Sequence, residues 1–207
     1  MITDIILIVT DFITSTIDAW GYLGVVVLMA IESAAIPLPS EIIMPFSGFL
    51  VESERFTLTG LALAGALGSV LGSVITFALG YYGGRPLIIK YGRYVLITQH
   101  DLELTERFFY KFGGWSTFIG RLLPVVRTFI SIPAGIGKVA IIPFVVYTFI
   151  GSFIWSYFLA WLGVKLGHNW HSLESYFRKF DLFIGVIILT LLIWWVRRHL
   201  NNRIKSK

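Results

Sequence analysis

Four ionisable residues stand inside stretches of chain that are otherwise apolar. Glu32 and Glu41 lie between residues 21 and 51, and Arg121 and Arg127 between residues 113 and 137. An arginine stays protonated and presents a planar fork of N–H donors that matches a phosphate group. Arg121 and Arg127 bracket the run R-L-L-P-V-V-R, so both can face one cavity. Thr128 and Ser131 follow closely and could add hydroxyl donors. Broken helix N-termini at this point would add further attraction for an anion. Desolvation disfavours the charged form of a carboxyl group, so Glu32 and Glu41 are placed to take up and release protons. The alternative is structural: two buried salt bridges that hold the two stretches together.

The surroundings of these residues set the class of protein. Of the 207 residues, 56% are apolar and 14% charged. An average soluble domain carries about 25% charged residues, so this chain reads as an integral membrane protein. It has no cysteine, which excludes disulfides, thiolate nucleophiles and zinc–thiolate sites. The formal charge of +5 would fit a nucleic-acid partner. In a membrane chain, however, basic residues are better read as topology determinants, and no nucleic acid is expected. Asp4, Asp11 and Asp18 recur every seven residues, so residues 2–19 are expected to form an amphipathic helix in the membrane interface.

Residues 57–80 carry no charge and are long enough to cross a bilayer, which takes about 20 residues. Gly65, Gly68, Gly72, Ala66, Ser69 and Ser73 give this span a face that permits close helix packing. Residues 141–163 form a second clean span, and residues 182–196 a third that ends in Trp194 and Trp195. The stretches 21–51 and 113–137 are different. Each is a short apolar run, a proline-containing break with charges, then another apolar run. Runs that short read as re-entrant segments, and their breaks must be buried in protein or line a wet cavity. Pro37, Pro39, Ser40, Gly48, Pro124 and Gly135 are assigned to these breaks.

The order of amphipathic segment, broken hairpin and clean span occurs twice. The expected fold is therefore an all-α membrane domain over residues 1–207, built as an inverted repeat. It has two opposed re-entrant hairpins, about three full spans and amphipathic interfacial helices, the second of these over residues 99–111. The first repeat is 1–84 and the second 85–163. Residues 164–207 add the final span and a basic tail. Eleven of the 17 Lys and Arg fall on one side: the 85–111 loop, Lys138 and the C-terminal tail. The positive-inside rule puts that side, and the C-terminus, in the cytoplasm. The first hairpin then enters from outside and the second from inside, an arrangement that many secondary transporters use. In that setting the arginines would hold a lipid phosphate and the glutamates would couple its movement to protons.

Three motifs carry a resemblance. They are E-x4-P-L-P-S-E from Glu32 to Glu41 with Gly48 beyond, G-Y-Y-G-G-R from Gly80 to Arg85, and F-I-G-R-L-L-P-V-V-R-T from Phe118 to Thr128 with Ala134 and Gly135 beyond. In spacing and order, over roughly residues 15–165, the chain resembles the DedA family, also described as SNARE-associated or VTT-domain proteins. The family often has a methionine shortly after the Ala-Gly pair. Here Lys138 to Ile142 follow, then Phe144, a change expected to affect packing more than chemistry. The resemblance implies an undecaprenyl phosphate translocase of the bacterial cytoplasmic membrane, which returns the carrier lipid of envelope synthesis to the inner leaflet. Related eukaryotic proteins act as phospholipid scramblases. Loss of family members is associated with defects in envelope integrity and proton-motive-force homeostasis. The acidic pair and arginine pair that the family requires fall on Glu32, Glu41, Arg121 and Arg127.

Other features carry less. His168 and His171 are three apart, but no third ligand lies near in sequence, so no metal site and no cofactor are expected. An intramembrane lipid phosphatase would need a nucleophile or general acid/base beside the arginines, and all four histidines fall in expected loops. An ion exchanger and a purely structural membrane factor are the remaining rival classes. The sequence leaves room for a homo-oligomer.

Overall fold

The computed structural model describes residues 2–36, 38–51, 53–84, 107–109, 111–123 and 126–166, with side chains from residue 8 to residue 165. Every regular element among them is helical. The expected span at 182–196, most of the amphipathic segment at 99–111, Pro37, Pro124 and the histidine pair lie outside the described residues.

Helix α1 (Ile2–Trp20) is amphipathic as its spacing predicts. Ile13 and Ile17 are buried, while Asp11 and Asp18 are exposed on the other side. Gly21 ends it with a φ of 59°, a left-handed backbone that glycine adopts without steric cost. The chain thereby turns directly into α2 (Tyr22–Ser33). Arg55, in the loop before α4, ties back to α1 by an ion pair with Asp18 at 2.8 Å.

Helix α2 stops at Ala34, and Pro39 caps the start of α3 (Ser40–Phe49). The stop has a local cause. Residues before proline are pushed out of the helical region, and Pro37 and Pro39 follow in close succession. At 1.5 Å per residue, α2 and α3 are about 18 and 15 Å long, each well short of the roughly 30 Å hydrocarbon layer.

Helix α4 (Leu58–Ala78) is capped by Thr57, whose Oγ1 accepts a hydrogen bond from the Gly60 N–H at 3.1 Å. It continues into a π-helical turn, Leu79–Gly83. Together they form a 26-residue apolar helix, long enough to cross a membrane. Its small-residue face is buried, and Leu63, Leu67, Leu71 and Ile75 are exposed on the other.

The second broken stretch repeats the pattern of the first. Gly113, with a φ of 54°, precedes α5 (Gly114–Arg121) as Gly21 precedes α2. After the break at Leu122 and Leu123 come α6 (Val126–Phe129) and α7 (Ser131–Ile136). Helix α8 (Ile141–Leu166) is the second helix long and apolar enough to span a membrane.

The helices pack in a crossed arrangement. Helix α2 lies on α4, with Gly72 against the backbone of Ala30, and α3 lies on α8, with Gly48 against the backbone of Ala160. Conversely α5 lies on α8, with Arg121 against Gly151, and α7 lies on the end of α4, with Gly135 against Phe77 and Tyr81. Each long helix thus receives the first arm of one broken stretch and the last arm of the other. Gly48 and Gly135 sit inside α3 and α7, away from the chain breaks. Their role here is close approach of backbones, which a side chain would prevent. One apolar cluster joins Ile13, Val25, Leu28, Ile43, Met44, Leu61 and Leu159, and a second joins Phe77, Phe109, Ala134 and Phe144.

Candidate functional site

The charged residues meet where the broken stretches face the long helices. Glu32 occupies the last turn of α2, Arg121 the last turn of α5, and Arg127 lies in α6. All three are removed from solvent, with exposures of 2%, 0% and 1%. The Arg127 Nη2 donates to Glu32 Oε2 at 3.2 Å, linking the two broken stretches across 95 positions of sequence. The Arg127 guanidinium also lies over the Trp155 ring, 5.4 Å from its centroid. A cation over a desolvated indole face gains about 2 kcal/mol.

Arg121 is held differently. Its Nη2 donates to Ser131 Oγ at 2.7 Å and to Ser73 Oγ on α4. Ser73 in turn donates to the Ser69 carbonyl. Ser131 was expected from sequence to share a site with the arginines, and the structure brings it there as an acceptor for Arg121. Thr128 is half-buried beside Arg127. Glu41, in the first turn of α3, is half-buried and accepts a hydrogen bond from Ser40 Oγ at 3.2 Å. Of the two glutamates, it is Glu32 that forms the ion pair. Pro39 and Ser40 stand at the start of α3, as expected for a break.

The site is unbalanced in two respects. Arg121 and Arg127 bring two positive charges, and among the described residues Glu32 supplies one negative charge, in contact with Arg127. In addition, Nε and Nη1 of both arginines are buried with no hydrogen-bond partner among the described residues. A buried donor without a partner costs about 1–3 kcal/mol, and more when it is charged. The arrangement is thus complementary to an anion with several acceptor oxygens.

Two participants were not legible in the sequence. Ser73 looked like one small residue among many on a packing face. Trp155 looked like one aromatic among many in an apolar span. A hydroxyl recurring with small residues on the α4 stripe was the available signal for Ser73; for Trp155 there was none.

The VTT domain family matches residues 38–165, the greater part of the chain and the part that contains all of this site except Glu32. The chain belongs to the VTT-domain (DedA) family. This VTT-domain protein is 37% identical over 191 residues to the Bacillus subtilis membrane protein YkoX, covering 91% of this chain and 85% of that protein. It is 34% identical over 174 residues to undecaprenyl phosphate transporter A of Bacillus subtilis, covering 83% and 86%. It is 31% identical over 209 residues to an alkaline phosphatase-like protein of Lactococcus lactis, covering 95% and 96%. No solved structure matches the chain at a significant level. Family membership and the two long apolar helices identify this VTT-domain protein as a membrane protein.

Proposed function

We propose that this protein translocates undecaprenyl phosphate, or a similar polyprenyl phosphate, across the cytoplasmic membrane. Arg121 and Arg127 bind the phosphate with help from Ser131 and Thr128, and Glu32 and Glu41 carry protons. The observation that carries the reading is the set of buried guanidinium nitrogens, Nε and Nη1 of Arg121 and of Arg127, that have no hydrogen-bond partner among the described residues. A buried cation without compensation is strongly destabilising, so the site calls for an anionic ligand. The relatives named as undecaprenyl phosphate transporters point to which anion. The Arg127–Glu32 pair supports the proton role: protonating Glu32 removes the competing anion and releases Arg127 to the phosphate.

The same reading treats the two broken stretches as opposed re-entrant hairpins, with the C-terminus in the cytoplasm. The shortness of α2, α3 and α5 supports this, as does the crossed packing on α4 and α8. A site formed where inverted repeats meet, near the bilayer midplane, is where secondary transporters bind their substrates.

The test is movement of labelled undecaprenyl phosphate between leaflets in liposomes holding the purified protein, with a neutral phospholipid as control. The wild type is expected to move the polyprenyl phosphate alone, and Arg121→Ala and Arg127→Ala each to reduce that rate by about 100-fold, the loss of roughly 3 kcal/mol of charge-assisted bonding. Equal movement of both lipids would mean a scramblase. Movement of neither would shift the reading to ion exchange or a structural role. Release of inorganic phosphate would support the hydrolase that the phosphatase-like names suggest.

A further inference from the structure

The site does not end at Arg121. On α4, Ser69 and Ser73 follow Gly65 one turn apart; on α8, Thr148, Ser152 and Ser156 follow one another one turn apart. All five are buried. Ser156 lies against Gly65, and Gly151 lies against Arg121, which itself bonds Ser73. The hydroxyls therefore occupy the seam between α4 and α8, between the Gly65–Ser156 contact and the guanidinium of Arg121.

A hydroxyl on an apolar helix ordinarily satisfies itself by donating to the carbonyl one turn back. Ser47 does so to Ile43, Ser73 to Ser69 and Thr76 to Gly72. Ser69, Thr148, Ser152 and Ser156 do not, and their oxygens have no hydrogen-bond partner among the described residues. The Trp155 Nε1 shares this state on the same stretch of α8. Four buried hydroxyls in one seam, adjoining the unpartnered Nε and Nη1 of Arg121, demand partners from outside the chain. Dry cavities in proteins are apolar, whereas polar ones hold water.

We infer that the α4–α8 seam is a hydrated polar track along which a phosphate monoester headgroup reaches Arg121, with Ser69, Ser152 and Ser156 lining it and Ser73 orienting the guanidinium. The inference rests on the transport reading for the identity of the headgroup, but hydration of the seam stands without it. The outer faces of the two helices, with Leu71 and Ile154 exposed, would meet the acyl chains.

The absence of native cysteine makes the test direct. Single variants Ser69→Cys, Ser152→Cys and Ser156→Cys, with Leu71→Cys and Ile154→Cys as controls, are treated in liposomes with a small charged thiol reagent. Such reagents attack the thiolate, which forms in water and not in hydrocarbon, so seam positions should react at least about tenfold faster than the controls. Undecaprenyl phosphate should slow the seam reactions, and undecaprenol should not. Protection by inorganic phosphate as well would mean that the track recognises the phosphate alone; protection by the polyprenyl phosphate only would mean that it admits the lipid headgroup. Seam cysteines no faster than the controls would overturn the track, and equal protection by undecaprenol would overturn its use by a headgroup. Three positions are tested so that one misfolded variant does not decide the result. The liposome transport assay, run on the wild type, reads the transport hypothesis separately.

Discussion

At the scale of the residue, the chain shows how sparse charges announce themselves and how their partners do not. Glu32, Glu41, Arg121 and Arg127 were legible because each interrupts an apolar run, where a charge costs at least about 2.5–3.5 kcal/mol and needs a reason to be there. Which acid meets which base is a property of the packed helices, so the Glu32–Arg127 pair and the Ser73–Arg121 bond were not legible. The pair makes a specific stability prediction. Removing one partner of a buried ion pair costs about 3–5 kcal/mol, because the other charge is left alone. Glu32→Gln and Arg127→Gln should each lower the unfolding temperature in detergent, and the double variant should lose much less than the sum. Strict additivity would show that the contact carries no coupling. Transport separates proton handling from this structural effect. Glu32→Gln and Glu41→Gln should flatten the dependence of the translocation rate on pH in liposomes. A pH profile unchanged in both would remove the glutamates from proton coupling.

At the scale of the element, the breaks and long helices followed from local rules. Proline spacing placed the ends of α2 and α3, and the uncharged run from residue 57 placed α4. Gly48 and Gly135 are expected at the breaks and instead lie inside α3 and α7. The backbone contacts to Ala160 and to Phe77 and Tyr81 give them another task that only the assembled bundle reveals. Helix association in lipid lacks a hydrophobic drive and relies on close backbone contact. A Cβ at Gly72 would run into the Ala30 carbonyl, and one at Gly135 into the Phe77 carbonyl. Neither obstacle is a flexible side chain that could swing away. Gly72→Val and Gly135→Val should each destabilise the protein by about 1–3 kcal/mol or more, as overpacked cores do. Leu71→Ala, on the exposed side of α4, should cost far less. The comparison is read from thermal unfolding in one detergent. Similar losses at all three positions would mean that the buried face of α4 is not a tight interface.

At the scale of the whole molecule, the proposed inversion of the two broken stretches accounts for their crossed packing on α4 and α8. The duplicated order of segments was legible, and so was the charge bias, because both are one-dimensional. The crossed packing was not, since nothing in sequence says that α3 reaches α8 or that α7 reaches the end of α4. That crossing follows naturally if two like repeats enter from opposite faces, each hairpin completing the other. The consequence can be measured with exposed positions at the two loop ends, Ser53 after α3 and Ala140 before α8. In intact cells, Ser53→Cys should react with a membrane-impermeant thiol reagent, and Ala140→Cys should react only after permeabilisation. If both react from the same side, the broken stretches are not inverted, and Glu32 and Arg127 would have to meet from hairpins that open to one face. That outcome would also remove alternating access about a fixed midplane site, because both arms of the site would then share one route to water.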